Sequence, residues 1–261
     1  MKREMSVAGS FYPASKEEIE KYFAYFNKVY DRHFSLSEAK SKAVIVPHAG
    51  YVYSGFTANA AYRILQNSDI HRFVVIGPSH RIAFNGVSVC DFEAYTTPFG
   101  ALQADIQIVQ LLRANFGTVC VPQAHHEHST EVQFPFIKHY MSDATLVEIV
   151  YSSENPDHLA KIVEFLLEQE DIGVIISTDL SHFHSLHEAN MLDHICIDAI
   201  GHLELEKLHQ GCEACGKIGV EAMLQAAKKR VMNAKIIDYR TSADVSNDTT
   251  SVVGYVSAYF S

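Results

Sequence analysis

The sequence predicts a layered α/β protein, a single domain over residues 1–261 in which helices flank a central, mostly parallel mixed sheet. Short apolar runs alternate with amphipathic stretches along the whole chain, which is typical of this fold class. Several runs lack strict alternation of apolar and polar residues, as strands covered on both faces do. The composition, 48% hydrophobic and 20% charged, is that of a chain able to bury a large core.

The apolar runs are the predicted strands, and their lengths are those that strands usually have. The run that begins at Gly86 and the run near the end of the chain leave room for antiparallel members, so a mixed sheet is expected. The predicted strands are 43–47, 72–78, 86–90, 145–150, 171–177, 235–239 and 251–260.

The amphipathic stretches between these runs are the predicted helices. Ser15 and Glu18 stand at the spacing of a capping box at the start of the first helix. Pro156 fits the first turn of another helix, where its missing N–H costs nothing. The predicted helices are 15–30, 56–66, 104–116, 156–169, an interval around 187–209, and 219–229.

Charge and composition argue against several classes of partner and compartment. The net charge of −10 argues against nucleic acid or an anionic membrane as the main partner, because both favour a basic surface. The first residues lack the apolar stretch of a signal peptide, and no apolar run approaches the roughly 18 residues that a membrane span needs. We therefore expect a cytoplasmic protein.

The cysteines are not expected to form a disulfide framework. Their number, five, is odd and does not indicate a disulfide framework. Cys212 and Cys215 form a C-x-x-C pair, but no second pair completes a zinc site. Reduced, partly buried thiols are favoured here over a redox pair.

Potential metal ligands and proton-transfer groups follow several predicted strands at the same relative position. In α/β sheets, ligands bind beyond the carboxyl ends of the strands, where the loops converge. We therefore expect these side chains to meet in one cleft. They are His48, His80, Asp179, His182 and Asp244.

His48, His80 and Asp244 are the predicted metal ligands. Two histidines and one carboxylate with open positions are typical of non-haem Fe(II) sites, so Fe(II) is the expected metal, with Zn or Cu as alternatives. The competing interpretation is that the two histidines are loop residues hydrogen-bonded to the backbone.

The candidate catalytic residues are His128, His182 and Asp179. His128 lies in the histidine-rich segment 125–136 and can donate and accept protons near neutrality. Asp179 beside His182 would fix the tautomer of that histidine, although such pairs also cap helices. His125 and His126 are interpreted as residues of a solvated loop.

Taken together and in order, the motifs around these residues resemble those of the Memo family, whose bacterial and archaeal members are also called AmmeMemoRadiSam system protein B. The resemblance covers nearly the whole chain. The motifs that carry it are AGSFYPA, VPHAGYVYSG, GPSH, EHSTEVQFPF, STDLSH, EACG and TSADVSNDTTSVVGY.

The resemblance implies a fold similar to the catalytic subunit of class III extradiol dioxygenases, which hold Fe(II) with two histidines and a glutamate and cleave catechol rings. It places the first two ligands at His48 and His80. It places the third in the TSADV segment, where animal members carry a cysteine and this chain offers Asp244. His128 and His182 match other pocket positions of the family.

Three functions stay open at this point. The first is a non-haem Fe(II)-dependent, dioxygenase-like redox enzyme that acts on a small substrate. The second is a non-catalytic binding module for a peptide or small ligand, because animal members are described as signalling proteins that bind receptor-derived phosphopeptides. The third is a metal-handling protein. Nucleotide binding and serine hydrolase chemistry have no supporting motif.

Overall fold

The strands of the structure follow the predicted apolar runs and add several short ones. The structure is a computed structural model and describes residues 1–33 and 39–261. The strand predicted over 86–90 ends at Ser88. The other strands of two or three residues were too short to leave a pattern in the sequence. In chain order the strands are β1 (Lys2–Arg3), β2 (Ala43–Val46), β3 (Arg72–Pro78), β4 (Gly86–Ser88), β5 (Ala94–Tyr95), β6 (Leu102–Ala104), β7 (Thr145–Ser152), β8 (Ile172–Ser177), β9 (His182–His184), β10 (Ala234–Thr241) and β11 (Val252–Phe260).

Every predicted helix is present, although most of the bounds shift, and the short helices at 128–131, 134–140 and 243–246 were not predicted. Two of the shifts have a clear cause. One helix begins at Tyr51 rather than at residue 56, because Tyr51 and Ser54 are buried against the core. The interval 187–209 divides at Leu203, whose left-handed φ of 56° ends a helix. The helices are α1 (Lys16–His33), α2 (Tyr51–Gln66), α3 (Ile106–Phe116), α4 (His128–Glu131), α5 (Phe134–Tyr140), α6 (Pro156–Glu168), α7 (Leu186–His202), α8 (Leu205–Leu208), α9 (Lys217–Lys229) and α10 (Ala243–Ser246), with a 3₁₀ turn at Pro122–His125.

The centre of the sheet is parallel, and antiparallel pairs lie on both sides of it. Strands β6, β7, β3, β8 and β2 lie side by side in that order, and each pair of neighbours is parallel. Beyond β2, strands β11 and β10 run antiparallel, and β4 pairs antiparallel with β7. The predicted mixed sheet with a parallel centre is confirmed. Because β3, β8 and β2 are neighbours, the loops after them open at one edge of the sheet.

Each central strand is covered on both faces. Ala43 and Ile45 of β2 belong to one apolar cluster, whereas Val44 and Val46 belong to the other. Successive side chains of a strand point to opposite faces, so both faces of the sheet need an apolar cover. Helices α6 and α9 supply residues on one face, and α1 and α2 supply them on the other. This double cover explains why the strand sequences are continuously apolar rather than alternating.

Two disulfides overturn the expectation of reduced cysteines. Cys90 is bonded to Cys120, and Cys196 is bonded to Cys212. The expectation was wrong because the partners are 30 and 16 residues apart in sequence, and only the fold brings their Cα atoms to 4.8 and 4.9 Å. Cys215 is free, so the C-x-x-C residues do not pair with each other.

Helix length and polarity bear on membrane insertion. Among the residues that the structure describes, none of the helices is both long enough and apolar enough to cross a membrane. The longest, α1, carries acidic residues in its first turn.

Candidate metal centre

Three histidine side chains meet beyond the carboxyl ends of the central strands. His48 follows β2, His80 follows β3, and His128 is the first residue of α4. Each offers a ring nitrogen, and these nitrogens all lie within 4.8 Å of one another. The ring centroids are 4.6 to 5.4 Å apart. Neutral imidazoles grouped in this way suit a divalent metal ion.

Neighbouring backbone elements fix where the histidines lie. Strand β8 lies between β2 and β3, and its last residue, Ser177, pairs with Val46 at the end of β2. Helix α4 packs closely on the end of β3, where a Cβ on Gly77 would lie only 2.7 Å from Ser129 Oγ. Only glycine allows that approach, and it lets Ser129 Oγ donate a 2.7 Å hydrogen bond to the carbonyl of Pro78.

Hydrogen bonds to Ser177 determine the tautomer of His48. The Ser177 hydroxyl donates its one proton to the carbonyl of Ser129, and its oxygen accepts a 2.9 Å hydrogen bond from Gln133 Nε2. The oxygen lies 3.0 Å from His48 Nδ1, so its remaining lone pair must accept from an Nδ1–H. Nε2 of His48 is therefore unprotonated. Burial, followed by the nearby His80 and His128, holds the pKa of His48 well below its usual value, so the ring is neutral.

A single carboxylate contacts the other two histidines. Glu127 Oε1 lies 3.1 Å from Nδ1 of His80 and 2.8 Å from Nδ1 of His128. The carboxylate is 1% exposed, whereas the side chain of His80 is 31% exposed and that of His128 is 17% exposed. The pair of histidines thus closes the site toward solvent, and the carboxylate lies behind them.

Cys215 is a member of the site that the sequence analysis did not identify. Its Sγ lies 3.2 Å from His48 Nε2 and accepts a 3.3 Å hydrogen bond from the backbone N–H of Asp179. Burial, together with the charge of Asp179, raises the pKa of the Cys215 thiol to about 12. A Cβ on Gly216 would lie 2.7 Å from Thr178 Cβ, so the glycine of EACG is needed for this close contact. EACG was the signal available in the sequence.

Asp179 and His182 lie beside the histidine group, but the Asp179 carboxylate and the His182 ring are not hydrogen-bonded to each other. Asp179 Oδ1 accepts a 2.7 Å hydrogen bond from the backbone N–H of His48, and Oδ2 lies 4.0 Å from His48 Nε2. Burial raises the pKa of Asp179. His182 Nδ1 lies 2.8 Å from the carbonyl of Leu180, which can only accept, so Nδ1 carries the proton and Nε2 is free.

Asp244 is not part of the histidine group. It is exposed on the short helix α10, and its Oδ2 accepts hydrogen bonds from the backbone N–H and the hydroxyl of Thr241. Its carboxylate therefore holds the turn after β10. It lines a surface depression with Asn190 and Tyr239.

The histidine-rich segment is more buried than expected. His125 is 1% exposed, with Nδ1 2.7 Å from Glu148 Oε2 and Nε2 2.9 Å from Ser88 Oγ. The prediction of a solvated loop is therefore wrong for His125, because Glu148 of β7 supplies a buried partner that the local sequence does not reveal. His126 is exposed, as expected.

An open cavity adjoins the group. The ring of Phe11 packs against that of His128 at 4.6 Å between centroids. Phe11 also lines a cavity of about 740 Å³ formed by the loop 9–14, residues 50–53 and the side chains of Glu18, Lys21 and Tyr22. The cavity is large enough for a small molecule or a short piece of peptide.

The sequence is similar to known proteins over nearly its whole length. The family model described as Memo-like protein matches residues 3–259. A MEMO1 family protein of Thermoplasma acidophilum is 31% identical, with 98% of each chain covered. Those of Aquifex aeolicus and Methanobrevibacter smithii are 31% and 32% identical, covering 99% and 100% of this chain and 98% and 100% of their own.

Proposed function

This chain belongs to the Memo family, and from its three converging histidines we propose that it is a metal-binding protein with a redox function. One observation supports the metal most strongly. The contacts of Nδ1 with Ser177 and Glu127 make Nε2 the unprotonated nitrogen in His48, His80 and His128, so all three could bind the same ion. An imidazole binds a metal through an unprotonated nitrogen, so the residues fit the group they would hold.

Fe(II) is the metal we propose first, with Zn or Cu as the other candidates. Imidazole is a ligand for all three metals. Three histidines leave coordination positions open, and Cys215 lies close enough to His48 to compete for one of them. Binding by its thiolate would release a proton, because burial keeps the free thiol protonated.

We propose a dioxygenase-like reaction on a small substrate, by analogy with the extradiol enzymes that the family resembles. A bound Fe(II) would supply the redox chemistry, with O₂ as the oxidant. Nε2 of His182 would take or return a substrate proton, because its Nδ1 is committed to Leu180. Asp179 would hold the backbone of His48 in place. The substrate would enter from the cavity beside Phe11.

Metal content after anaerobic purification tests the metal site. Elemental analysis would compare the wild type with His48→Ala, His80→Ala, His128→Ala and Asp244→Ala. His126→Ala is the matched control, because His126 is an exposed histidine outside the group. We expect near-stoichiometric metal in the wild type, Asp244→Ala and the control, and loss in the three histidine variants.

Two results would change this conclusion. Loss in Asp244→Ala but not in His128→Ala would restore the ligand set predicted from the sequence. No metal in the wild type after loading with Fe(II), Cu or Zn would overturn the metal function. For the redox step, O₂ uptake with catechol-like substrates should exceed that of His48→Ala, and equal uptake would count against an oxygenase.

The cavity supports a second candidate, a non-catalytic module that captures a small molecule or peptide. Its wall includes the aromatic side chains of Phe11, Tyr22 and Tyr53. Saturable ligand binding that survives chelation of the metal would favour this candidate over the enzyme. Loss of all binding on chelation would argue against it.

A further inference from the structure

We propose that Glu127 is a positioning residue that holds His80 and His128 together in the tautomer needed for metal binding. The inference rests on the proposed metal function of the same site. It concerns a residue outside the histidine group that would act through two of its members at once.

The side chain of Glu127 is surrounded by N–H groups. Oε1 lies within hydrogen-bonding distance of Nδ1 of both His80 and His128, and it accepts from the backbone N–H groups of His128 and Ser129 at 2.9 and 3.2 Å. Oε2 accepts from the backbone N–H of His80 at 2.7 Å. The carboxylate therefore fixes both the rings and the backbone of the two histidines.

The hydrogen bonds that Glu127 accepts determine which ring nitrogens of the two histidines carry protons. Both carboxylate oxygens accept hydrogen bonds from backbone N–H groups, Oε1 from His128 and Ser129 and Oε2 from His80, so neither oxygen is placed to donate. An oxygen that only accepts requires a proton on the ring nitrogen beside it, so Nδ1 of His80 and Nδ1 of His128, 3.1 and 2.8 Å from Oε1, are the protonated nitrogens. In a neutral imidazole the other nitrogen, Nε2, then has its lone pair free for a metal.

A purely structural role explains less of this geometry. Glu127 caps α4, and a cap needs only the N–H groups at the start of that helix. The contacts with the ring and backbone of His80 reach a different loop, after β3. Glu131, one turn further along α4, gives the contrast: it accepts from Ser6, Val7 and Tyr12 of the amino-terminal segment and does not contact the histidine group.

The carboxylate of Glu127 would also offset part of the positive charge of a bound metal ion. Three neutral imidazoles do not offset the charge of a divalent ion, and a buried uncompensated charge is costly. A full negative charge behind two of the ligands offsets part of it without occupying a coordination position. Carboxylates behind metal-bound histidines typically raise metal affinity about 10- to 100-fold.

The test uses Glu127→Gln, with Glu148→Gln as its matched control. Both carboxylates are buried and both contact histidine, but the partner of Glu148 is His125, which lies outside the group. In Glu127→Gln an amide NH₂ replaces one acceptor and faces N–H donors. Thermal unfolding and circular dichroism would establish that each variant is folded.

The first measurement is made on metal-free protein labelled with ¹⁵N-histidine. Long-range ¹H–¹⁵N spectra distinguish the two tautomers of each ring. We expect Nδ1–H for His80 and His128 in the wild type and in Glu148→Gln, and a loss of this preference in Glu127→Gln. Nε2–H tautomers in the wild type would overturn the proposal even if no variant folds.

The second measurement is the Kd for Zn(II), by competition with a chelator. Glu127→Gln should weaken binding about 10- to 100-fold, and Glu148→Gln should leave it unchanged. Equal Kd values for the wild type and Glu127→Gln would overturn the positioning role. If the wild type binds no metal, the proposed function fails, and the tautomer spectra still decide whether Glu127 sets the two rings.

Discussion

The Sγ atom of Cys215 lies 3.2 Å from Nε2 of His48, the nitrogen that the Ser177 hydrogen bond leaves unprotonated. In the metal-free protein the thiol is therefore placed to donate its proton to that nitrogen. When a metal takes the nitrogen, the thiol loses this acceptor. Metal binding and the protonation of Cys215 are linked through one ring.

Replacing Cys215 should change which metals bind best. Cys215→Ser keeps the size of the side chain but removes its sulfur. Sulfur is a soft ligand that favours Zn(II) and Cu(I) over Fe(II). We expect the Kd for Zn(II) to rise roughly 10-fold or more, with a smaller change for Fe(II). Competition titrations under anaerobic conditions measure both values. A uniform change for the two metals would show that the thiol is not a ligand.

Removing the Ser177 hydroxyl should destabilise the protein and weaken metal binding. Ser177→Ala leaves Gln133 Nε2 and His48 Nδ1 without their shared partner, at a cost of about 1–3 kcal/mol in the free energy of unfolding. Urea unfolding of the metal-free protein gives this number. Ser257→Ala is the control, because Ser257 is equally buried and its hydroxyl has no partner. Similar losses of unfolding free energy in the two variants would show that the Ser177 hydrogen bonds do not stabilise the protein.

Arg3 should be among the most sensitive positions for stability. Its guanidinium lies 2.7 Å from Glu131 and 3.6 Å from Glu148, and all three side chains are buried. Arg3→Ala leaves two buried carboxylates without their cation, and breaking such a pair costs about 3–5 kcal/mol. Denaturant unfolding should show this loss, with exposed Lys2→Ala close to the wild type. If Arg3→Ala lowers the free energy of unfolding no more than Lys2→Ala does, the buried ion pairs do not stabilise the protein.

Thiol counting tests the disulfides. In denaturant without reductant, alkylation should modify Cys215 alone, because the other four cysteines are paired. After reduction all five should react. Mass spectrometry of the alkylated protein distinguishes the two states. Five reactive thiols before reduction would restore the expectation drawn from the sequence.

The apolar runs of the sequence were sufficient to predict the longer strands of the sheet and the loops that carry His48 and His80. Strands such as β2 and β3 are apolar on both faces, so a short window of sequence contains their whole signal. The position of a histidine after such a strand then follows from the parallel arrangement.

The rest of the site depends on pairings across the fold that a local pattern does not contain. The role of Glu127 requires that α4 pack on the end of β3, which the sequence signals only through Gly77. His125 was assigned to solvent because its partner, Glu148, lies on a strand 23 residues away. Cys215 and Asp244 both lie in motifs that could supply a residue to the site. Only the three-dimensional arrangement shows that Cys215 lies beside His48 and that Asp244 holds a turn.

The position of β8 between β2 and β3 has a consequence for the order of assembly during synthesis. The loops carrying His48, His80 and His128 leave the ribosome well before residues 172–177, yet β2 and β3 become neighbours of a common strand only when β8 inserts between them. Ser177, which orients His48, is the last residue of that strand. Closing such distant segments makes folding slow. The nascent chain therefore exposes its histidines for a long interval before they can act as a single chelating group.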